Sequence, residues 1–218
     1  MIQPRHMQGK RRGPRALTVV LSVLAVLLAA FCVLSWMLLD DPNAGRTMER
    51  PSDPVTGKAL AAAVSGGECT LTPREVSGFL NGVLQKKGTS GSAFSAVSVT
   101  AAQGGTADVY VPARYAGKTF GVSLNLSPSF DPRTERMLFQ VNSVRVGRLP
   151  VPKGWALGMI ESRLPSALSR EGDVLACDTK SLFRVSYQNA TAQLRMKDLD
   201  MKDGKFRLKF GLELGFST

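Results

Sequence analysis

The stretch MKDGKFRLKFGLELGF, residues 201 to 216, decides the fold. Phe206, Leu208, Phe210, Leu212, Leu214 and Phe216 take every second position, and Arg, Lys, Gly, Glu and Gly stand between them. That alternation is a β-strand with one wholly apolar face. Asp203-Gly204 just ahead of it is the strongest short hairpin signal in the chain, and it pairs the strand with TAQLRMKDLD, 191 to 200. SLFRVSY, 181 to 187, reads as a further strand.

Working toward the N-terminus, period-two segments recur near 94 to 101, 107 to 113 and 118 to 126, separated by QGG and AGK turns. In the third, Phe120, Val122, Leu124 and Leu126 alternate with Gly121, Ser123 and Asn125, so one face is wet or thinly covered. The strand over 136 to 147 changes parity: Met137, Phe139 and Val141 share one face, whereas Val144 and Val146 share the other. A bulge near Asn142 and Ser143 accounts for the switch.

Two helices interrupt this pattern. TPREVSGFLNGVLQKKG, 72 to 88, carries a Thr72 and Glu75 capping box, Pro73 at the first helical position and an apolar stripe of Val76, Phe79, Leu80, Val83 and Leu84. The second, over 154 to 170, has Trp155, Leu157, Met159, Ile160 and Leu164, with a kink or restart at Pro165. Successive strands are joined mostly by tight turns. The predicted class is therefore α+β: a curved antiparallel sheet of about seven strands with two helices packed on one face.

Residues 16 to 39 run for 24 positions without a charge. As a helix they reach about 36 Å, enough to cross a hydrocarbon core of about 30 Å. Arg5, Lys10, Arg11, Arg12 and Arg15 precede the span, and Asp40 and Asp41 follow it. The positive-inside rule then predicts a cytoplasmic tail over 1 to 15, a signal anchor over 16 to 39, and residues 40 to 218 outside the cell membrane. A cleaved signal peptide is the rival reading, weakened by Phe31 before Cys32 and by the uncharged VLSWMLL that follows. Residues 40 to 68, with three prolines among DDPNAGRTMERPSDPVTGK, read as a linker with one short helical turn around Leu60 to Val64, and it holds an outer domain, 69 to 218, off the bilayer.

The formal charge of +11 falls to +6 once the five tail cations are set aside, which argues against a nucleic-acid partner. His6 is the only histidine and lies in the tail, so Ser-His or Cys-His catalysis and histidine metal ligation are not expected in the outer domain. DLDMKDG, 198 to 204, fails the calcium-loop pattern, with Asp203 where glycine and Lys209 where glutamate would stand. No cofactor and no catalytic residue are predicted. Cys69 and Cys177 are either buried thiols or a disulfide closing a loop of about a hundred residues, worth about 4.7 kcal/mol in the chain-entropy model. Arg133, Arg136, Arg145, Arg148 and Lys153 form a solvated edge or a patch for anionic headgroups or wall polymer.

The order of anchor, LTPREVSGFLNGVL, VYVP, FGVSLNLSPSFDPRT, FQVNSVRVGRLPVP and FRVSYQNATAQLRMKDLDMKDGKFRLKF resembles the YpmS-like family of bacterial membrane-anchored proteins. The resemblance implies an extracytoplasmic domain and supplies no active site. Two functions follow as expectations. One is a cell-envelope module that binds or handles lipid in an apolar groove of Val76, Phe79, Leu80, Val83, Trp155, Phe206, Leu208, Phe210 and Leu212. The other is a non-enzymatic scaffold that engages an envelope protein. A carboxylate enzyme ranks below both. Whether the space between strand 206 to 216 and the helix at 72 is a closed core or a groove separates the first two.

Overall fold

The computed structural model describes residues 14 to 86, 96 to 115, 117 to 161, 168 to 179, 184 to 187 and 190 to 216. Helix α1, Pro14–Leu39, contains one apolar run, Ser22–Leu39, long enough to cross a membrane, and none of that run is buried.

The segment expected to be a linker is folded. Helix α2, Pro54–Ser65, begins where the Asp53 carboxylate accepts hydrogen bonds from the Thr56 amide at 3.1 Å and the Thr56 hydroxyl at 2.8 Å. Pro54 opens its first turn, and Gly66, at φ 68°, ends it in the left-handed conformation. It buries Val55, Ala59 and Ala62, side chains too small to raise a visible apolar stripe in the sequence. Strand β1, Glu68–Leu71, follows, and then helix α3, Pro73–Lys86. The capping box at its start is formed: the Thr72 amide donates to Glu75 Oε2 at 2.9 Å and the Glu75 amide to Thr72 Oγ1 at 3.3 Å.

The α+β class holds, but the strands divide between two antiparallel sheets. The larger contains β2 (Ser98–Ala101), β3 (Ala107–Tyr115), β4 (Lys118–Asp131), β5 (Arg136–Val146), β6 (Leu149–Val151), β7 (Leu168–Glu171) and β8 (Val174–Asp178). Its order is β2-β3-β4-β5-β8-β7, with β6 paired to the end of β5. The smaller has the order β1-β11-β10-β9, from β9 (Arg184–Tyr187), β10 (Ala190–Lys202) and β11 (Lys205–Phe216). The hairpin between β10 and β11 turns at Asp203 and Gly204, at φ 53° and 70°, as their sequence predicts.

Two bulges keep the apolar faces in register. Asn125 pairs with Ser143 and Leu126 with Val141, so Asn142 is the extra residue, and Val141 and Val144 are both buried, at 0% and 3% exposure. The parity switch in the sequence therefore marks the bulge that undoes it. Lys197 plays the same part in β10, between Met196 paired with Phe210 and Asp198 paired with Lys209. Leu194, Met196, Leu199 and Met201 all stay buried as a result.

Helix packing differs from two helices on one face. α2 covers the smaller sheet, where Phe206, Leu208 and Phe210 join Val55, Ala59, Cys69 and Leu71 in one core that also takes in Val99 and Ala107 of the larger sheet, and α3 lies along β2 with Val76, Phe79 and Leu80 packed against that core. Helix α4, Lys153–Glu161, packs on the larger sheet instead, with Leu157 fully buried beside Val141, Val144 and Leu175. The helix expected over 154 to 170 is described over Lys153–Glu161. Leu164 and Pro165 lie outside the described residues, and Leu168–Glu171 is strand β7.

Candidate functional site

The residues expected to line an apolar groove are only partly brought together. Val76, Phe79 and Leu80 on α3 pack against the core that holds Phe206, Leu208 and Phe210. Val83 borders a separate shallow pocket of about 220 Å³, shared with Phe79, Gly82 and residues 51 to 53. Trp155 belongs elsewhere: it is 59% exposed on α4, over the other sheet. The backbone of Leu212 pairs with Leu194, and its side chain lies outside the described residues. Cys69 is buried on β1 and Cys177 on β8, in different sheets, and no disulfide joins them. Burial is the main cause that raises the Cys69 thiol above its ordinary pKa.

The basic residues do not form one patch. Arg136 is paired with Glu171 and Lys153 with Asp173, each on the surface. Arg133 sits in the turn between β4 and β5, and Arg145 near the opposite end of β5. Nine residues of strand separate Arg136 from Arg145, about 30 Å.

Arg145 and Arg148 open onto a different feature, built where α1 meets the larger sheet. The last carbonyls of a helix lack partners within it. Here the Arg148 amide, in the turn between β5 and β6, donates to the Met37 carbonyl at 2.9 Å. Arg148 Nε lies 2.9 Å from Asp40 Oδ2, and its guanidinium stands 5.9 Å from the centroid of the Trp36 ring. A cation there also suits the negative end of the helix dipole. Gly147, at φ 59°, permits the close approach: a Cβ on it would lie 2.6 Å from the Leu38 carbonyl oxygen and 2.7 Å from that of Met37.

From this junction residues 41 to 52 run as a strap over the polar face of the larger sheet, not as the linker expected from the sequence. The Tyr110 hydroxyl donates to Asp41 Oδ2 at 2.6 Å, and the Asp41 carboxylate lies where a Cβ on Gly121 would stand. Asn43 Nδ2 donates to Ser123 Oγ at 3.2 Å. Arg46 donates to Thr100 Oγ1 at 3.2 Å and lies 5.8 Å from the Tyr110 ring centroid. Further on, Asn81 Nδ2 donates to the Glu49 carbonyl at 2.9 Å and the Ser52 amide to the Gly78 carbonyl at 3.0 Å.

Between strap and sheet is a polar pocket of about 450 Å³. Its floor is the face that the alternation of Ser123 and Asn125 marks in the sequence as thinly covered, and Ser143 and Arg145 extend it. Three arginines, Arg46, Arg145 and Arg148, line it against one aspartate, Asp108, which accepts from Asn125 Nδ2 at 2.7 Å. Arg148 is matched by Asp40 and Arg46 is held by Thr100 and Tyr110, whereas Arg145 is exposed and has no ion pair among the described residues. Burial, and then the bond to Asp41, pushes the Tyr110 hydroxyl up to about 12, so it stays a neutral donor under the strap. Guanidinium, amide and hydroxyl groups together suit an oxygen-rich anion. No group of three metal-ligating side chains occurs among the described residues. The sequence could not have revealed this pocket, because its lining comes from a strap and from three strands remote from it in the chain.

Comparison with protein-family models, with curated proteins and with solved structures finds no match to this chain.

Proposed function

We propose that the protein is a single-pass, membrane-anchored module of the cell envelope that binds lipid at the bilayer surface. In this reading α1 is an uncleaved signal anchor, the basic tail is cytoplasmic, and residues 40 to 218 lie outside, in the manner of the YpmS-like proteins its sequence resembles. The module is a binding protein and not an enzyme.

The observation that carries the reading is the bonded junction between the end of α1 and the turn at Gly147 and Arg148. Pro42, the first residue of the polar pocket, stands three positions beyond Leu39. Three residues span at most about 11 Å, and the headgroup layer on each side of a bilayer is about 5 to 8 Å deep. The pocket thus opens within reach of the headgroups of the bilayer that α1 would span. Native mass spectrometry of the full-length chain released from its own membranes tests this. Retained lipid is the expected result, and a lipid-free mass overturns it.

A scaffold role draws on a different surface, the exposed Trp155 and Met159 one turn apart on α4. Side chains of this type at a helix surface are common anchors in protein interfaces. A lipid-free chain whose envelope partner is lost on Trp155→Ala would favour that role.

A further inference from the structure

We infer that the pocket beneath the strap is a phosphate site, and that it takes the phosphate-bearing headgroup of an anionic phospholipid while the acyl chains remain in the bilayer. This deepens the lipid reading and rests on it. The volume of about 450 Å³ falls in the range of small-ligand pockets, about 300 to 1,000 Å³. Its polar lining suits a headgroup and not a hydrocarbon chain. The apolar residues that could have held a chain, Phe206, Leu208 and Phe210 with Val76, Phe79 and Leu80, are instead packed on one another.

The three arginines differ in what they can give. Arg148 is engaged by Asp40 and ties the pocket to α1. Arg46 is oriented by Thr100 and by the Tyr110 ring, so its guanidinium is held in place before any ligand arrives. Arg145 points from the polar face of β5 with its charge uncompensated among the described residues. Arginine presents a planar fork of donors that matches phosphate oxygens. Asn43 on the strap and Ser123 on the floor, already bonded to each other, add neutral donors.

The test uses the full-length chain in detergent micelles, titrated with short-chain phosphatidylglycerol, with short-chain phosphatidylcholine and with inorganic phosphate, bound species being counted by native mass spectrometry. Phosphatidylglycerol is expected to bind more tightly than phosphatidylcholine. Arg145→Gln should weaken that binding about tenfold, equivalent to about 1.4 kcal/mol. Arg145→Lys should recover part of the loss, and Arg133→Gln, at the far end of the sheet, should leave binding unchanged. Arg145 is exposed and supports no ion pair among the described residues, so its replacement leaves a folded protein to measure.

Other outcomes separate the two claims. Equal binding of both lipids, indifferent to Arg145, overturns the phosphate site and leaves the lipid reading standing. Inorganic phosphate bound in an Arg145-dependent way, with no lipid preference, keeps the anion site and overturns the headgroup as its source. No binding in any arm overturns both.

Discussion

Tyr110 is 3% exposed, and its hydroxyl donates to the carboxylate of Asp41 at 2.6 Å. The phenol is favoured in its neutral form, so its contribution to stability is complete below the ordinary value of about 10. It is lost as pH rises toward about 12, where the folded-state group ionises. An ultraviolet titration of the parent chain against Tyr110→Phe, with the fold followed by circular dichroism, should show Tyr110 ionising above the ordinary tyrosine range. Tyr110→Phe leaves Asp41 without this donor and should cost about 1.5 to 3 kcal/mol in chemical denaturation. Glu75 has the opposite sign. Its bond to Lys58 at 2.5 Å, followed by the Thr72 amide, lowers its pKa, so its contribution is present above the unfolded value and lost as pH falls through the folded one. Thr72→Ala should lower stability at neutral pH by about 1 kcal/mol. The Thr72 and Glu75 pair was legible because a capping box is local, four residues in a row. The Tyr110 and Asp41 pair spans 69 positions and leaves no local mark.

At the scale of the element, the bulges explain what could be read and what could not. Val141 and Val144 are an odd number of residues apart and yet both buried, which a strand allows only if one residue between them is extra. Deleting Asn142 should therefore leave a regular strand that keeps Val144 and Val146 on the face of Val141, at a cost of about 1 kcal/mol for the lost bonds to Asn125 and Ser127, whereas deleting Asn142 and Ser143 together should turn Val144 and Val146 toward the polar face and abolish the fold. Circular dichroism and thermal melting of the two variants check the contrast. Met196 and Leu199 carry the same parity signal for Lys197. Helix α2 was obscured for another reason. Its buried stripe of Val55, Ala59 and Ala62 is mostly alanine, whereas its larger apolar residues, Leu60 and Val64, face solvent. The edge of β2 is closed by side chains that periodicity treats as neutral. Asn81 accepts from the Val97 amide at 2.7 Å and donates to its carbonyl at 3.0 Å, and Ser77 accepts from the Val99 amide at 2.8 Å. One polar stripe of α3 thus stands in for a neighbouring strand, which protects an edge that would otherwise be open to pairing.

For the whole molecule, the decisive matter is how α1 is joined to the sheets. A flexible tether would let the folded part tumble about the end of α1, and the polar pocket would hold no fixed direction relative to that helix. The junction instead consists of an amide bonded to a helix-end carbonyl, an ion pair and a glycine that permits contact of backbone with backbone. Arg148 and Asp40 alone would hold little, since exposed ion pairs contribute about 0 to 1 kcal/mol. Gly147 is therefore the residue on which the orientation depends. A methyl group there would meet carbonyl oxygens at 2.6 and 2.7 Å, in a backbone conformation that already disfavours a side chain. Gly147→Ala should push the end of α1 away while leaving both hydrophobic cores intact, because neither includes residue 147. Cys32 is exposed on α1, whereas Cys69 and Cys177 are buried, so a spin label on Cys32 and another on Lys205→Cys report the geometry in nanodiscs. The parent chain should give one narrow distance distribution, and Gly147→Ala a broad one with little change in the unfolding midpoint. A narrow distribution in both would mean that the strap from Asp41 to Ser52, through Tyr110, Ser123 and Gly78, fixes the orientation without the junction.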